Sequence, residues 1–235
     1  MGFRLSSNSC FCLSCGLEKA SRQWLDSARY QELINDAIAD LKIILSMFSS
    51  LLRISSIESL DPKSAFREID LAVVACEVAE LFDAAAEERG RHVRFTGEGQ
   101  AIVWADRDLL FDAISNIIDN AIKHADSGDI LVKVENDRLK CTMSVIDGGP
   151  GIPTSERENV FKRFYRLDRS RSSPGNGLGL SLVAAVAQLH GARVELGDNA
   201  PGLTVRLHFF PSMQRSVGTE RQTVPQINLV EDGSG

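Results

Sequence analysis

The stretch "ISNIIDNAIKHA", residues 114–125, decides how the rest of the chain reads. Its isoleucines and alanines recur at helical spacing, so it forms a helix with a buried face. Asn116, Asn120 and Lys123, four and three residues apart, share one side of that helix. Two carboxamides and an ammonium cost free energy to desolvate unless something pairs with them. Carboxamide oxygens are hard, neutral ligands of the kind Mg²⁺ accepts while sharing its shell with phosphate oxygens.

The bulk numbers around this stretch are ordinary. The chain has 235 residues, 43% hydrophobic and 25% charged, which is a soluble globular composition. A net charge of −6 gives no reason to expect nucleic acid or an anionic membrane. No apolar run reaches the roughly 18–20 residues of a membrane span, and the short N-terminal patch lacks the apolar core of a secretory signal. A cytoplasmic location is expected for the chain. Five cysteines, an odd number, suit free thiols in a reducing compartment. Cys10, Cys12 and Cys15 lack a partner cluster to complete a four-ligand metal site, and Cys76 and Cys141 lie in apolar patterns as expected core residues.

Four segments follow. Residues 1–16 are irregular. Residues 17–61 read as a helical segment suited to dimerisation, which the resemblance given below implies to be a partial dimerisation domain. Ile34, Ile38, Leu41, Leu45, Phe48 and Leu52 are spaced 4, 3, 4, 3, 4 there, the a/d seam of a bundle or coiled coil. The helix 28–59 would be a rod of roughly 45 Å. It needs a partner helix, and homodimerisation is the expectation; docking within the chain is the alternative. Residues 66–210 form an α+β domain. Helices are predicted at 69–89, 106–125 and 178–189, with a helical turn near 155–166. Strands are predicted at "HVRFTG", "AIVWA", "DILVKVEN", "KCTMSVID", "ARVELG" and "GLTVRLHF". Residues 211–235 lose all periodicity and read as a disordered tail.

Two more features join the first within 66–210. "VIDGGPGIP" places Asp147 at a strand end, followed by Gly149 and Gly151. A carboxylate there can accept from an exocyclic amine, and glycines let a flat ring lie against the backbone. "GNGLGLSL", 175–182, is a glycine turn opening a helix, where backbone N–H groups and the helix dipole favour an anion. In this order they resemble the N, G1 and G2 boxes of the ATP-binding domain shared by sensor histidine kinases, gyrase-type topoisomerases, Hsp90 chaperones and mismatch-repair ATPases. "VFKRFYR", 160–166, resembles the F box of the histidine-kinase branch, and "LLRISSIES" resembles the second helix of the kinases' dimerisation domain.

The resemblance implies a helical dimerisation remnant followed by a two-layer α/β sandwich, a Bergerat-type fold whose mixed sheet is covered by helices. The implied ligands are ATP and Mg²⁺. By motif position Asn120 is the metal ligand, with Asn116 beside it. Lys123 and His124 would lie near the phosphates. Asp147 would bind the adenine amine, in a pocket shaped by Gly149, Gly151 and Ile152. Phe161 and Arg163 belong to the F box, Arg163 near the γ-phosphate. Gly175, Gly177, Leu178 and Gly179 would line the phosphate side, under a lid that also holds Lys162, Arg166, Arg169 and Arg171. Gly148 departs from the kinases' usual Asn and is expected to loosen the turn.

The family's ATP-hydrolysing branches, and its serine kinases, carry a glutamate base four residues before the metal Asn. Here that position is Asn116, which cannot take a proton. The implied reaction is therefore transfer of the γ-phosphoryl group to a histidine and thence to a response regulator. Asn116, Lys123 and Arg163 are the implied catalytic residues. His92, His124, His190 and His208 all lie outside any segment like the family's "H-E/D-L-R-T-P" acceptor. The expectation is that the acceptor helix is lost by a late start or a frame error, or is supplied in trans. A regulatory dimer that binds ATP without transferring phosphate is the alternative.

Overall fold

The computed structural model describes residues 27–59, 65–97, 99–137, 139–167 and 176–210. The expectations for 1–16, for the tail 211–235, for Cys10, Cys12 and Cys15, and for Gly175, Arg169 and Arg171 lie outside these residues. The chain divides into two units at Leu51 and Leu52.

Helix α1, Ser27–Ser59, runs for 33 residues, about 50 Å at 1.5 Å per residue. All six seam residues are exposed, from 46% at Ile38 to 69% at Leu52. In the second unit the last turns of α1 join the core: Ile54 is buried, Ile57 packs against it, and Arg53 pairs with Asp112 at 2.6 Å. No helix among the described residues is long and apolar enough to cross a membrane.

The second unit continues as β1 (Arg67–Asp70), α2 (Leu71–Glu87), β2 (Val93–Gly97), β3 (Ile102–Ala105) and α3 (Arg107–His124). It closes with β4 (Ser127–Asn136), β5 (Cys141–Gly148), α4 (Gly179–Leu189), β6 (Arg193–Asp198) and β7 (Leu203–Phe209). The main sheet runs β2-β4-β5-β7-β6, parallel only between β2 and β4, so it is mixed as expected. Along β5 the side chains alternate. Cys141, Met143 and Val145 belong to the apolar core, whereas the buried Thr142 bonds the His208 ring at 3.0 Å. Helices α2 and α4 each pack on α3, and the three supply the other half of that core.

Three expectations need correcting. The helix predicted from residue 69 begins at Leu71, because Asp70 is its N-cap, accepting from Ala72 N at 3.0 Å and from Ala101 N at 3.1 Å. The residues before it pair antiparallel with β3 as a strand the sequence pattern did not show. The turn near 155–166 is two short 3₁₀ turns, Thr154–Glu156 and Asn159–Phe161. Cys141 is buried, but Cys76 is only half-buried, its thiol against Glu80. Burial, and then Glu80, push that thiol's pKa up.

His190 ties the helical layer together. The buried ring accepts from Asp106 N at 3.0 Å, contacts Val186 O at 2.7 Å and stacks on Phe66. Asp106 caps α3, so the start of that helix is fixed by the side chain of the residue that caps the end of α4. His190→Ala is expected to cost about 2 kcal/mol, because it removes packing and leaves Asp106 N without its acceptor, whereas Val186 O keeps the His190 backbone N–H. Chemical denaturation measures this; a loss under about 0.5 kcal/mol would contradict it.

Candidate functional site

Helix α3 has two unlike faces. Leu110, Ala113, Ile114, Ile117, Ile118 and Ala121 are buried against the core, whereas Asn116, Asn120, Lys123 and His124 are half-exposed on the other side. The Asn116 amide donates to Asp112 O at 2.8 Å, the carbonyl one turn back. Its carbonyl oxygen is thereby turned toward the start of α4, where a Cβ added to Gly179 would lie 3.0 Å from Asn116 Oδ1 and 3.4 Å from Asn120 Nδ2. Both carboxamides thus flank the first residue of a helix, where free backbone N–H groups and the dipole favour negative charge. Asn116 presents its oxygen there and Asn120 its amide nitrogen; with the Asn120 amide turned over, the two oxygens beside an anion-favouring helix start would suit a Mg²⁺–phosphate group.

Two further segments converge there. Gly177, at φ +67°, packs on the backbone of Phe164 and Tyr165, and its carbonyl accepts from Phe164 N at 2.9 Å. The glycine turn and the segment after the second 3₁₀ turn are therefore joined. Leu178 is fully buried beneath them. Phe161 is half-buried and Arg163 exposed. Lys123 is engaged by Asp119 at 2.5 Å, a partner one turn back that sequence reasoning missed.

At the end of β5, Asp147 is only 6% exposed. Its Oδ1 accepts from Gly149 N at 2.8 Å and from Leu203 N at 3.3 Å. Burial pushes its pKa up; the two backbone N–H groups and nearby His124 oppose this. Among the described residues nothing donates to Oδ2, so one oxygen is held by the fold while the other remains an acceptor for a ligand. Gly149 lies so close to His124 O, 2.6 Å from where a Cβ would be, that the end of α3 and the loop after β5 form one wall. His124 has its pKa lowered, first by burial and then by Lys123, with Asp147 pulling the other way and Arg166 adding to the depression. Gly151 and Ile152 line a cavity of about 300 Å³ with Arg157, Asp198 and Pro201.

The predicted N, G1, F and G2 segments therefore meet around one site. A family model described as histidine kinase-, DNA gyrase B- and HSP90-like ATPase matches residues 105–213. The sensor protein IrlS of Burkholderia pseudomallei is 34% identical over 165 residues, 69% of this chain and 35% of that one. The MprB histidine-protein kinase/phosphatase of Mycobacterium leprae is 43% identical over 109 residues, 44% of this chain and 21% of that protein. The chain carries the catalytic, ATP-binding domain of the histidine kinases. The solved mycobacterial sensor histidine kinase MprB matches this histidine-kinase domain with a TM-score of 0.54 at 29% identity, covering 62% of this chain and 97% of that chain. The catalytic domain of the histidine kinase ThkA matches at 0.56 and 26%, with the same coverage. The chain spans about a third of the length of the curated relatives, 35% of IrlS and 36% of the probable sensor protein PcoS of Escherichia coli.

In this histidine-kinase domain Gly148 does not loosen the turn. It pairs with Ser127 across β4 and β5, next to a shift in register, and any Cβ there would collide with the Ser127 carbonyl oxygen. The glycine admits a close backbone approach. Gly148→Asn is accordingly expected to destabilise the domain by about 1–3 kcal/mol, although Asn is what the kinases usually carry there. Thermal unfolding measures this, and an unchanged or raised Tm would contradict the close-approach explanation.

Proposed function

We propose that the chain is the catalytic part of a sensor histidine kinase: it binds Mg²⁺–ATP and transfers the γ-phosphoryl group to a histidine, from which a response regulator takes it. The observation that carries this reading is the half-satisfied Asp147 carboxylate, in a loop packed on the end of the helix that carries the two carboxamides. Asp147 Oδ2 would accept from the adenine amine. Asn116 and Asn120 would hold Mg²⁺ through their carbonyl oxygens, and the metal would neutralise triphosphate charge when bound. The start of α4 would take phosphate oxygens on its N–H groups. Among the described residues, the carboxylates next to the amides are paired with cations, and the position one turn before Asn120 holds no carboxylate. Asn116 is not titratable, Asp112 pairs with Arg53, and Asp119 pairs with Lys123. That favours transfer to a neutral imidazole, which is nucleophilic without a base, over hydrolysis.

None of the four histidines is read as the acceptor. His190 and His208 are buried with both ring nitrogens engaged, His92 pairs with Asp83 and Glu87, and His124 is part of the site wall. The exposed seam of α1 supports pairing with a second copy through 28–59, because an isolated amphipathic rod leaves its apolar stripe in water.

Calorimetry with ATP and Mg²⁺, followed by labelled ATP offered with a histidine-bearing helix peptide, tests the proposal. Asn120→Asp and Asp147→Asn are each expected to lower affinity tenfold or more, and label is expected on the peptide. Affinity should also weaken as pH falls, beginning above the usual carboxylate range, since protonation removes the acceptor whose pKa burial raises; Asp147→Asn removes that limb. Unchanged affinity in both variants would refute the site. Binding without transfer would favour the regulatory dimer.

A further inference from the structure

The β6–β7 turn, residues 198–202, reads in sequence as a plain hairpin connection. In the fold it reaches across to the end of β5 and grips Asp147 from behind. Asn199 Nδ2 donates to the Asp147 backbone carbonyl at 2.9 Å. Gly202 lies against that same oxygen so closely that any Cβ would collide with it. Leu203 N, the next residue, supplies one of the two hydrogen bonds to Oδ1. Asp147 is thus held by this turn at its backbone and at one carboxylate oxygen, leaving the other oxygen as the acceptor.

The turn is in turn fastened to the loop that follows Asp147. Arg157, with a side chain 13% exposed, pairs with Asp198 and donates to Ile152 O at 3.3 Å and to Leu196 O at 3.4 Å. One guanidinium therefore spans the glycine loop and β6. A carboxylate that reads a base by a single hydrogen bond needs its direction fixed to within about 0.5 Å and 10–20° by surrounding groups. Neither Asn199 nor Arg157 lies in any of the four motif segments recognised in the sequence, apart from Arg157 standing between two of them.

We propose that this turn is the positioning element for base recognition, with Asn199 the positioning residue and the Arg157–Asp198 pair its latch. This rests on the reading of Asp147 as the group that accepts from the adenine amine. Its consequence is specific. The turn sets how well the domain tells a base with an exocyclic amine from one without, and contributes little to gripping the triphosphate.

The test compares ATP with ITP, whose base carries a carbonyl where adenine carries the amine, by calorimetry on the full chain. In the wild type ATP is expected to bind at least tenfold more tightly than ITP, and Asp147→Asn to abolish that ratio. Asn199→Ala, and the near-isosteric Asn199→Asp that cannot donate, are expected to reduce the ratio at least fivefold while ITP affinity changes by less than twofold. Asp198→Asn, an exposed position that breaks only the latch, should move the ratio in the same direction by a smaller factor. It serves as the reporter should the Asn199 variants fail to fold. Were Asn199→Ala or Asp198→Asn to weaken ATP and ITP equally, or to leave the ratio intact while Asp147→Asn abolishes it, the positioning role would be overturned and the Asp147 reading would stand. Were Asp147→Asn itself to keep the ratio, the reading of Asp147 would be the part that fails.

Discussion

A carboxylate buried at the end of a sheet strand is the constraint on which the rest of this site depends. Leaving Asp147 charged and out of water is unfavourable, and its raised pKa records that cost. Two backbone N–H groups offset part of it, and both go to one oxygen. Such an arrangement stabilises the anion enough to keep it in place without exhausting its acceptor capacity. The glycines around it follow from the same need. Backbones from α3, β4 and the β6–β7 turn all approach within the space a Cβ would fill. The cluster of glycines after β5 is therefore a packing requirement as much as a flexible loop.

Helix α3 solves a second problem with a single element. Its apolar stripe anchors the helical layer, and its polar stripe faces the start of α4. The amide of Asn116 is spent on its own helix backbone, which orients the carbonyl outward. The dipole of α4 and the Asn116 carbonyl dipole then meet at one place with complementary preferences, anion and cation. The separation of these tasks between two helix termini and a strand end explains why three weak motifs become specific only in combination.

Much of this was legible in the residues. The period of α3 and the alternation in β4 each reflect burial of one face, which sequence records directly, whereas the seam of α1 marks a helix whose apolar stripe stands exposed. Asn116 and Asn120 lie beside Gly179, positions that sit at fixed offsets from the ends of α3 and α4. What was not legible depends on contacts distant in the chain. "REID" carries no alternation, so β1 emerged only from its pairing with β3. Asp70, read as helix, turned out to be its cap. Asn199 and Gly202 bear on Asp147 from more than 50 residues away, and nothing in a hairpin turn announces such a grip. Gly148 was misread for the same reason, since the carbonyl it accommodates belongs to the neighbouring strand.

The most direct measurement is a crystal structure of the chain with a non-hydrolysable ATP analogue and Mg²⁺. The account predicts the adenine amine within hydrogen-bonding distance of Asp147 Oδ2, with the ion on the carbonyl oxygen of Asn120 and the phosphates at the start of α4. A base seated away from Asp147, or an ion held by carboxylates instead of the α3 amides, would contradict it.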